Sequence, residues 1–263
     1  MHIIYFGNRD YWDIRNNGHT RYENIFKSLV KLNKHQIVYV RIFGWRSVIK
    51  HAFHYLKNIF RTKIVFSRRS FIIRQISSDK LIILSIYTTN KKGIILKLID
   101  KIENLAMIKS RNKWIWFNSP LLWDSIKNTD EYKYYFDSVE LFHSVVEYKH
   151  LQSTLEKIYE DIARKIQLLV TISEPGMEYY KKLNPNLSIS LVKNGVNLKI
   201  FKPLKSNRRF IDQKVVGLIG NLNENHEYSG LLNAAKKLNN IKFVIVGKTH
   251  GDSKLLKQST KNN

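Results

Sequence analysis

Three short stretches carry groups able to handle an anion or a reacting hydroxyl. Gly217-Leu-Ile-Gly220-Asn221-Leu222 closes an apolar run in a sterically open turn. With no Cβ at Gly220, a phosphate can come close to the backbone there. Asn8 to Gly18 is a polar loop followed by His19 and Thr20, where a helical pattern begins. A loop glycine just ahead of a helix N-terminus suits an anion site, because the first N–H groups of the helix are unpaired and point outward. Asn118-Ser119-Pro120 breaks a strand-like run, and α/β proteins place ligands outside the carboxyl ends of their strands. Each stretch also has a plainer reading: a glycine needed for packing at a strand end, or an ordinary strand-to-helix turn.

Other chemistries are excluded by residue type or spacing. There is no cysteine, which removes disulfides, thiolate metal sites and cysteine nucleophiles. Nine histidines are present, but His51 and His54 lack carboxylates at ligand spacing, so no metal is expected. Gly-x-Ser-x-Gly, Walker A and His-Glu-x-x-His motifs are absent, as is Gly-x-Gly-x-x-Gly after residues 2–7.

The elements that must hold these stretches follow from periodicity. Short apolar runs at 2–7, 36–43, 81–87, 113–117, 134–138 and 167–173 read as strands, and they alternate with helical patterns. Thr20-Arg-Tyr-Glu23 is a capping box ahead of Ile25, Phe26, Leu29 and Val30. Gly93 to about Ser110 and Leu151 to Lys165 read as helices, and Ser173 caps a further helix with Pro175 in its first turn. Residues 64–76 mix strand-like residues with Arg68, Arg69 and Arg74. Asn194-Gly195 calls for a turn with positive φ. A second strand–helix–strand unit runs from Lys214 to Gly247, with both strands expected to be buried. The pattern implies an α/β chain with a doubly wound, mainly parallel sheet of seven or so strands.

Residues 45–61 form a basic amphipathic pattern. Trp45 and Phe53 fall on an apolar stripe, and Lys50, Lys57 and Arg61 lie opposite it. Such a helix either covers a sheet or lies in a membrane interface. With 263 residues and 43% hydrophobic composition, the chain has material for one large or two ordinary domains. Its 45 Lys and Arg against 21 Asp and Glu leave a net charge of +24. That field attracts polyanions of any kind, although part of the excess fits a Lys-, Ile- and Asn-rich composition. The N-terminus lacks the features of a secretory signal and no window reaches eighteen apolar residues, so the expectation is a cytoplasmic protein, peripheral if it meets a membrane.

Read in order, Asn194-Gly-Val-Asn197, Phe201 and Pro203, the strand closing in Gly220-Asn221-Leu222 and the strand ending in Val246-Gly247 resemble the donor-domain entrance of GT-B glycosyltransferases. The likeness is to the retaining, nucleotide-sugar-dependent group 1 (family 4) type, and it extends back to about Ser119. It implies an acceptor-side Rossmann-like domain over residues 1–205 and a donor-binding domain, truncated, over 206–263. It makes Gly220, Asn221, Leu222 and Gly18 the donor-binding candidates. His19, Asn118, Ser119, Asp137, Glu140 and His143 become acceptor or cleft candidates. Asp137-Ser-Val-Glu140 is similar to an Asp-x-Val-Asp element of some cell-surface-polymer glycosyltransferases, with Glu140 in place of the second acid. Asn197 stands where the family has Asp, and no Glu-x7-Glu element follows Gly247.

The resemblance implies sugar transfer from a nucleotide-diphosphate sugar, a substrate rather than a cofactor, to a lipid-linked or polysaccharide acceptor at an anionic membrane surface on its inner face. Nucleic acid is not the expected partner, and a separate chain completing the donor domain is. This chain alone is expected to be inactive or weakly active. The alternative is a non-catalytic basic Rossmann-like module that binds a polyanion or a partner protein.

Overall fold

In a computed structural model, the structure describes residues 1–7, 21–44, 62–68, 70–78, 80–88, 101–104, 106, 110–127, 131–196, 198, 214–220 and 229–247. The chain divides into two compact units, Met1–Gly195 and Val196–Asn263.

The first unit is built on one nine-stranded sheet. Its strands are β1 (His2–Phe6), β2 (Gln36–Phe43), β3 (Thr62–Ser67), β4 (Ser70–Ser78), β5 (Leu81–Thr88), β6 (Lys113–Phe117), β7 (Tyr132–Ser138), β8 (Leu168–Thr171) and β9 (Ile189–Leu191). Their order is β3-β4-β5-β2-β1-β6-β7-β8-β9. Seven strands, from β5 to β9 in that order, run parallel. The β3–β4 hairpin adds an antiparallel edge. The parallel strands read as continuous apolar runs because both faces are covered; all eight residues of β5 are buried.

Alternation sorts each strand into two layers. On one face Tyr5, Tyr39, Ile83 and Trp116 pack under α1 (Arg21–Leu32). Its Ile25, Phe26, Leu29 and Val30 recur at the spacing that makes one apolar stripe. Phe26 stacks on Tyr5 with ring centroids 5.0 Å apart and lies 4.9 Å from Tyr39. On the opposite face Phe6, Val40, Leu84, Phe117 and Phe136 pack with α2 (Trp123–Ile126), α3 (Gln152–Lys165) and α4 (Glu174–Leu183). Burying aromatic side chains of this size contributes about 2–3 kcal/mol each against solvent exposure, so these two layers fix the sheet that carries the site. The α4 start is as the sequence implies: Ser173 Oγ accepts from Gly176 N–H at 3.2 Å, with Pro175 in the first turn.

Residues 64–76, strand-like with arginines between, belong to two strands with Arg68 at the turn. Two expectations change. Asn194 and Gly195 do not take positive φ; among the described non-glycine residues only Asn33 does, at 49°. The second unit contains, among its described residues, β10 (Lys214–Ile219), α5 (Ser229–Lys237) and β11 (Ile241–Val246), the two strands pairing in parallel. These strands are not buried as expected: Ile219 is 85% exposed and Val246 55%. A two-stranded parallel sheet has too little surface to cover both of its own faces.

Candidate functional site

The strand order reverses at β1: β2 and β5 extend one way, β6 to β9 the other. In doubly wound sheets, ligands bind at such a reversal, outside the carboxyl ends of the strands, because the flanking loops diverge there. Strand register determines what lines this crevice. Phe6 pairs with Val40, Tyr5 with Trp116 and Phe117 with Phe136. Continued by one residue, these registers set Gly7, Asn118 and Asp137 side by side, about 4.8 Å apart from strand to strand, with Arg41 beyond Gly7.

Each member of this row is unusual for a protein interior. Asn118 is 2% exposed, and among the described residues neither its Oδ1 nor its Nδ2 has a hydrogen-bond partner. Leaving a buried amide group unpaired costs about 1–3 kcal/mol. Asp137 is fully buried; its Oδ1 lies 3.4 Å from Arg21 Nε, and its Oδ2 has no hydrogen-bond partner among the described residues. Arg41 Nη1 donates to the Gly7 carbonyl at 3.0 Å. Gly7 must be glycine because a Cβ there would sit 2.0 Å from the Tyr39 hydroxyl.

Burial pushes the Asp137 carboxyl up to about 6, outweighing the downward pull of the adjacent Arg21 charge and hydrogen bond. Its proton therefore exchanges near neutrality, the range useful for acid–base work. The same burial, with the Asp137 charge adding to it, holds the Tyr22 and Tyr135 phenols well above their ordinary value. Arg21 reaches in two directions: its Nη1 also donates to the Lys193 carbonyl at 3.3 Å. It ties the first turn of α1 both to the end of β7 and to the segment that leaves β9.

The sequence-derived candidates separate into groups. Asn118 and Asp137 come together in the row. Ser119 is half-buried beside it and precedes the short 3-10 turn Pro120–Leu122, without a side-chain capping bond. Glu140 is exposed. His143 turns to the α3–α4 side, where its ring packs 5.5 Å from Tyr159 and 5.1 Å from Tyr179. Asp137 and His143 thus serve opposite sides of the sheet. Gly18, His19, Trp45, Lys50, Phe53, Lys57, Arg61, Asn221 and Leu222 lie outside the described residues.

Gly220 belongs to the second unit, where an added Cβ would meet nothing within 4 Å. Packing demands glycine instead at Gly247, whose Cβ would fall 1.6 Å from the Gly220 carbonyl oxygen. Sequence reasoning missed Arg21 and Arg41, since nothing local marks a cation whose partner lies 116 residues away. Among the described residues, no group of three or more His, Asp or Glu is placed to hold a metal ion.

No protein family model matches the sequence, and no curated protein matches it. Solved structures do match in shape. One is an E. coli structure described as trehalose-6-phosphate bound with UDP-2-fluoro glucose, at TM-score 0.53 and 10% identity, covering 99% of this chain and 68% of that one. A second is Staphylococcus aureus TarM in complex with Fondaparinux, alpha-GlcNAc-glycerol and UDP, at TM-score 0.51 and 15% identity over the same shares. A third is an alpha,alpha-trehalose-phosphate synthase (UDP-forming) from Burkholderia vietnamiensis, at TM-score 0.50 and 9% identity, covering 99% and 67%. At such identities the likeness is one of fold, and the chain is an α/β protein of GT-B-like fold with a large, mainly parallel Rossmann-like sheet.

Proposed function

We propose that this protein is a glycosyltransferase component that takes a sugar from a nucleotide-diphosphate donor toward a lipid-linked or polysaccharide acceptor at the cytoplasmic face of a membrane. The observation that carries the reading is the buried row at the strand reversal, where Asn118 and Asp137 keep unpartnered polar atoms. Native interiors retain such groups where a ligand completes them, at a cost in stability. An acceptor hydroxyl suits both: the Asn118 amide can donate and accept, and Asp137 Oδ2 can accept a proton. In this reading residues 1–205 are the acceptor side, with Ser119 next to the row and His19 and Glu140 as further candidates; His143 faces the other side of the sheet and is not one of its groups. Residues 206–263 carry the donor-binding candidates Gly220, Asn221 and Leu222, and Gly18 is the candidate within residues 1–205. No cofactor is needed, because the activated phosphate bond of the donor drives the transfer.

The competing reading is a non-catalytic basic module, favoured only by the net charge of +24. Titration with a nucleoside diphosphate, short duplex DNA and anionic vesicles separates the two. Saturable diphosphate binding that persists in high salt supports the enzyme component. Purely electrostatic binding loses about 10³–10⁵ in affinity between 50 and 200 mM salt; if only such binding is seen, the proposal fails.

A substitution at Asn118 tests the row itself. Asn118→Leu keeps the branched four-atom skeleton of the side chain and replaces two unpaired polar atoms with larger methyl groups, so thermal stability should stay within about 2 kcal/mol of the wild type. Binding of a soluble acceptor glycan, followed by calorimetry, should fall at least about tenfold with the lost hydrogen bonds. A clear loss of stability would mean that Asn118 is held for packing rather than for a ligand.

A further inference from the structure

The row at the strand reversal holds more unpaired groups than one acceptor hydroxyl can use. Besides Asn118 Nδ2, Asn118 Oδ1 and Asp137 Oδ2, the Arg21 Nη2 and Trp116 Nε1 atoms are buried, and among the described residues none of the five has a hydrogen-bond partner. The Arg21 side chain is 9% exposed and Trp116 is 2% exposed. Trp116 stands two residues before Asn118, so alternation puts both on the sheet face that α1 covers. The other nitrogens of Arg21 are engaged, Nε with Asp137 Oδ1 and Nη1 with the Lys193 carbonyl.

Hydrogen-bond arithmetic describes the occupant. Arg21 Nη2, Asn118 Nδ2 and Trp116 Nε1 are donors, while Asn118 Oδ1 and Asp137 Oδ2 are acceptors. A hydroxyl donates one hydrogen and accepts through two lone pairs, so a single hydroxyl leaves one acceptor and one donor unmet. An ionised phosphate or carboxylate offers no hydrogen and sets negative charge against Asp137. One water reaches both acceptors but accepts from only two of the donors. Two hydroxyls meet all five groups. Asn118 and Asp137 stand on adjoining strands about 4.8 Å apart, so the two hydroxyls must be close neighbours on the ligand. The floor beside them is aromatic: Trp116 stacks on Tyr135 with ring centroids 5.0 Å apart and meets Tyr5 edge-on at 4.5 Å. A sugar ring, with C–H groups on its faces and hydroxyls at its rim, matches that division between apolar surface and polar edge.

We infer that the row is a site for a vicinal diol, two hydroxyls on adjoining carbons of a sugar ring, with Arg21 and Trp116 as specificity-determining donors beside Asn118 and Asp137. The inference rests on the proposed reading of the row as a sugar site and deepens it. The diol is carried by the acceptor sugar or by the ribose of the nucleotide donor, two sources with the same chemistry.

Nuclear magnetic resonance on the full, isotopically labelled wild-type chain reads the site through the Trp116 indole N–H and the Asn118 side-chain amide, and so needs no variant that must fold. Cyclohexane-1,2-diol, which presents the diol on a sugar-sized ring, should shift both signals saturably and bind at least about tenfold more tightly than cyclohexane-1,4-diol or cyclohexanol, the effect of losing one or more hydrogen bonds to buried groups. Trp116→Phe keeps an aromatic floor and removes one donor, so it should narrow that preference. If uridine diphosphate shifts both signals and its 2′-deoxy form does not, the diol is the ribose of the donor. If neither nucleotide shifts them while the preference for the 1,2-diol holds, it belongs to the acceptor sugar. The inference is overturned if the 1,4-diol or cyclohexanol binds as tightly as the 1,2-diol, or if no probe shifts either signal, which would leave ordered water as the occupant. Salt-resistant binding of a nucleoside diphosphate alongside that failure would leave the transferase reading standing, whereas loss of that binding with the diol preference intact would remove the transferase reading and keep the sugar site.

Discussion

Replacing Arg21 with Met should lower the unfolding free energy at pH 7.5 by up to about 2 kcal/mol, because a carboxyl that already holds its proton up to about pH 6 can lose no more than the interval from there to pH 7.5 when its cation partner is removed. Asp137 is fully buried and Arg21 supplies its one hydrogen bond among the described contacts. The effect should depend steeply on pH. In the folded protein the Asp137 carboxyl sits at about 6, above its ordinary 3.8, so the folded state binds its proton more tightly than the unfolded chain does. For such a raised acid, the associated stability is fully present below the unfolded value near 4 and is lost as pH rises through about 6. A rise of about two units corresponds to about 3 kcal/mol lost between pH 4 and pH 7.

Without Arg21 the folded value climbs further, so the loss extends to higher pH. Denaturant midpoints at pH 4.5 should therefore differ little between the wild type and Arg21→Met, whereas those at pH 7.5 should differ widely. Asp137→Asn in the Arg21→Met background should recover most of the loss at pH 7.5, because it removes the charge that cannot be solvated. Equal destabilisation at both pH values would show that Arg21 acts through packing or through the Lys193 carbonyl, and not through Asp137.

This ion pair also marks where the sequence stops being informative. The parallel strands are legible because runs such as Leu81-Ile-Ile-Leu-Ser-Ile-Tyr87 have only one comfortable environment, buried on both faces. The end of β6 is legible as a ligand position because Asn118-Ser119-Pro120 must break the strand. What cannot be read is which residues of different strand ends become neighbours. Register alone brings Asn118 beside Asp137, and Arg21 reaches Asp137 only because α1 lies across that face. The hairpin at 62–78 is hard to see in the sequence because Ser67-Arg-Arg-Ser70 lacks the glycine or asparagine that marks most tight turns. Packing is the plainer of the two readings the sequence offers for Gly220, yet the crowded position is Gly247. Close approach between two strand ends is a tertiary fact, absent from either local pattern.

The purified 263-residue chain should show no sugar transfer above background with nucleotide-diphosphate sugars, even where it binds a nucleoside diphosphate. Holding donor and acceptor in reacting geometry supplies about 7–11 kcal/mol of a barrier, and that requires both reactants to be fixed at once. In the proposed reading the acceptor is held at the row of Asn118 and Asp137. On the donor side, the described part of the second unit is two parallel strands and one helix, with Ile219, Ile245 and Val246 exposed. A sheet that small is not stable by itself, so its turn at Gly220 cannot hold a diphosphate to the sub-ångström tolerance catalysis needs. The decisive comparison uses Gly220→Trp, which has room for its Cβ, against Gly247→Ala, whose Cβ would collide with the Gly220 carbonyl. If the wild type transfers labelled sugar and Gly220→Trp abolishes transfer while leaving the fold intact, the donor site is complete in this chain and the expectation is wrong. If the wild type is silent, both variants should be silent too, and only Gly247→Ala should loosen amide protection in β10 and β11, as hydrogen exchange would report.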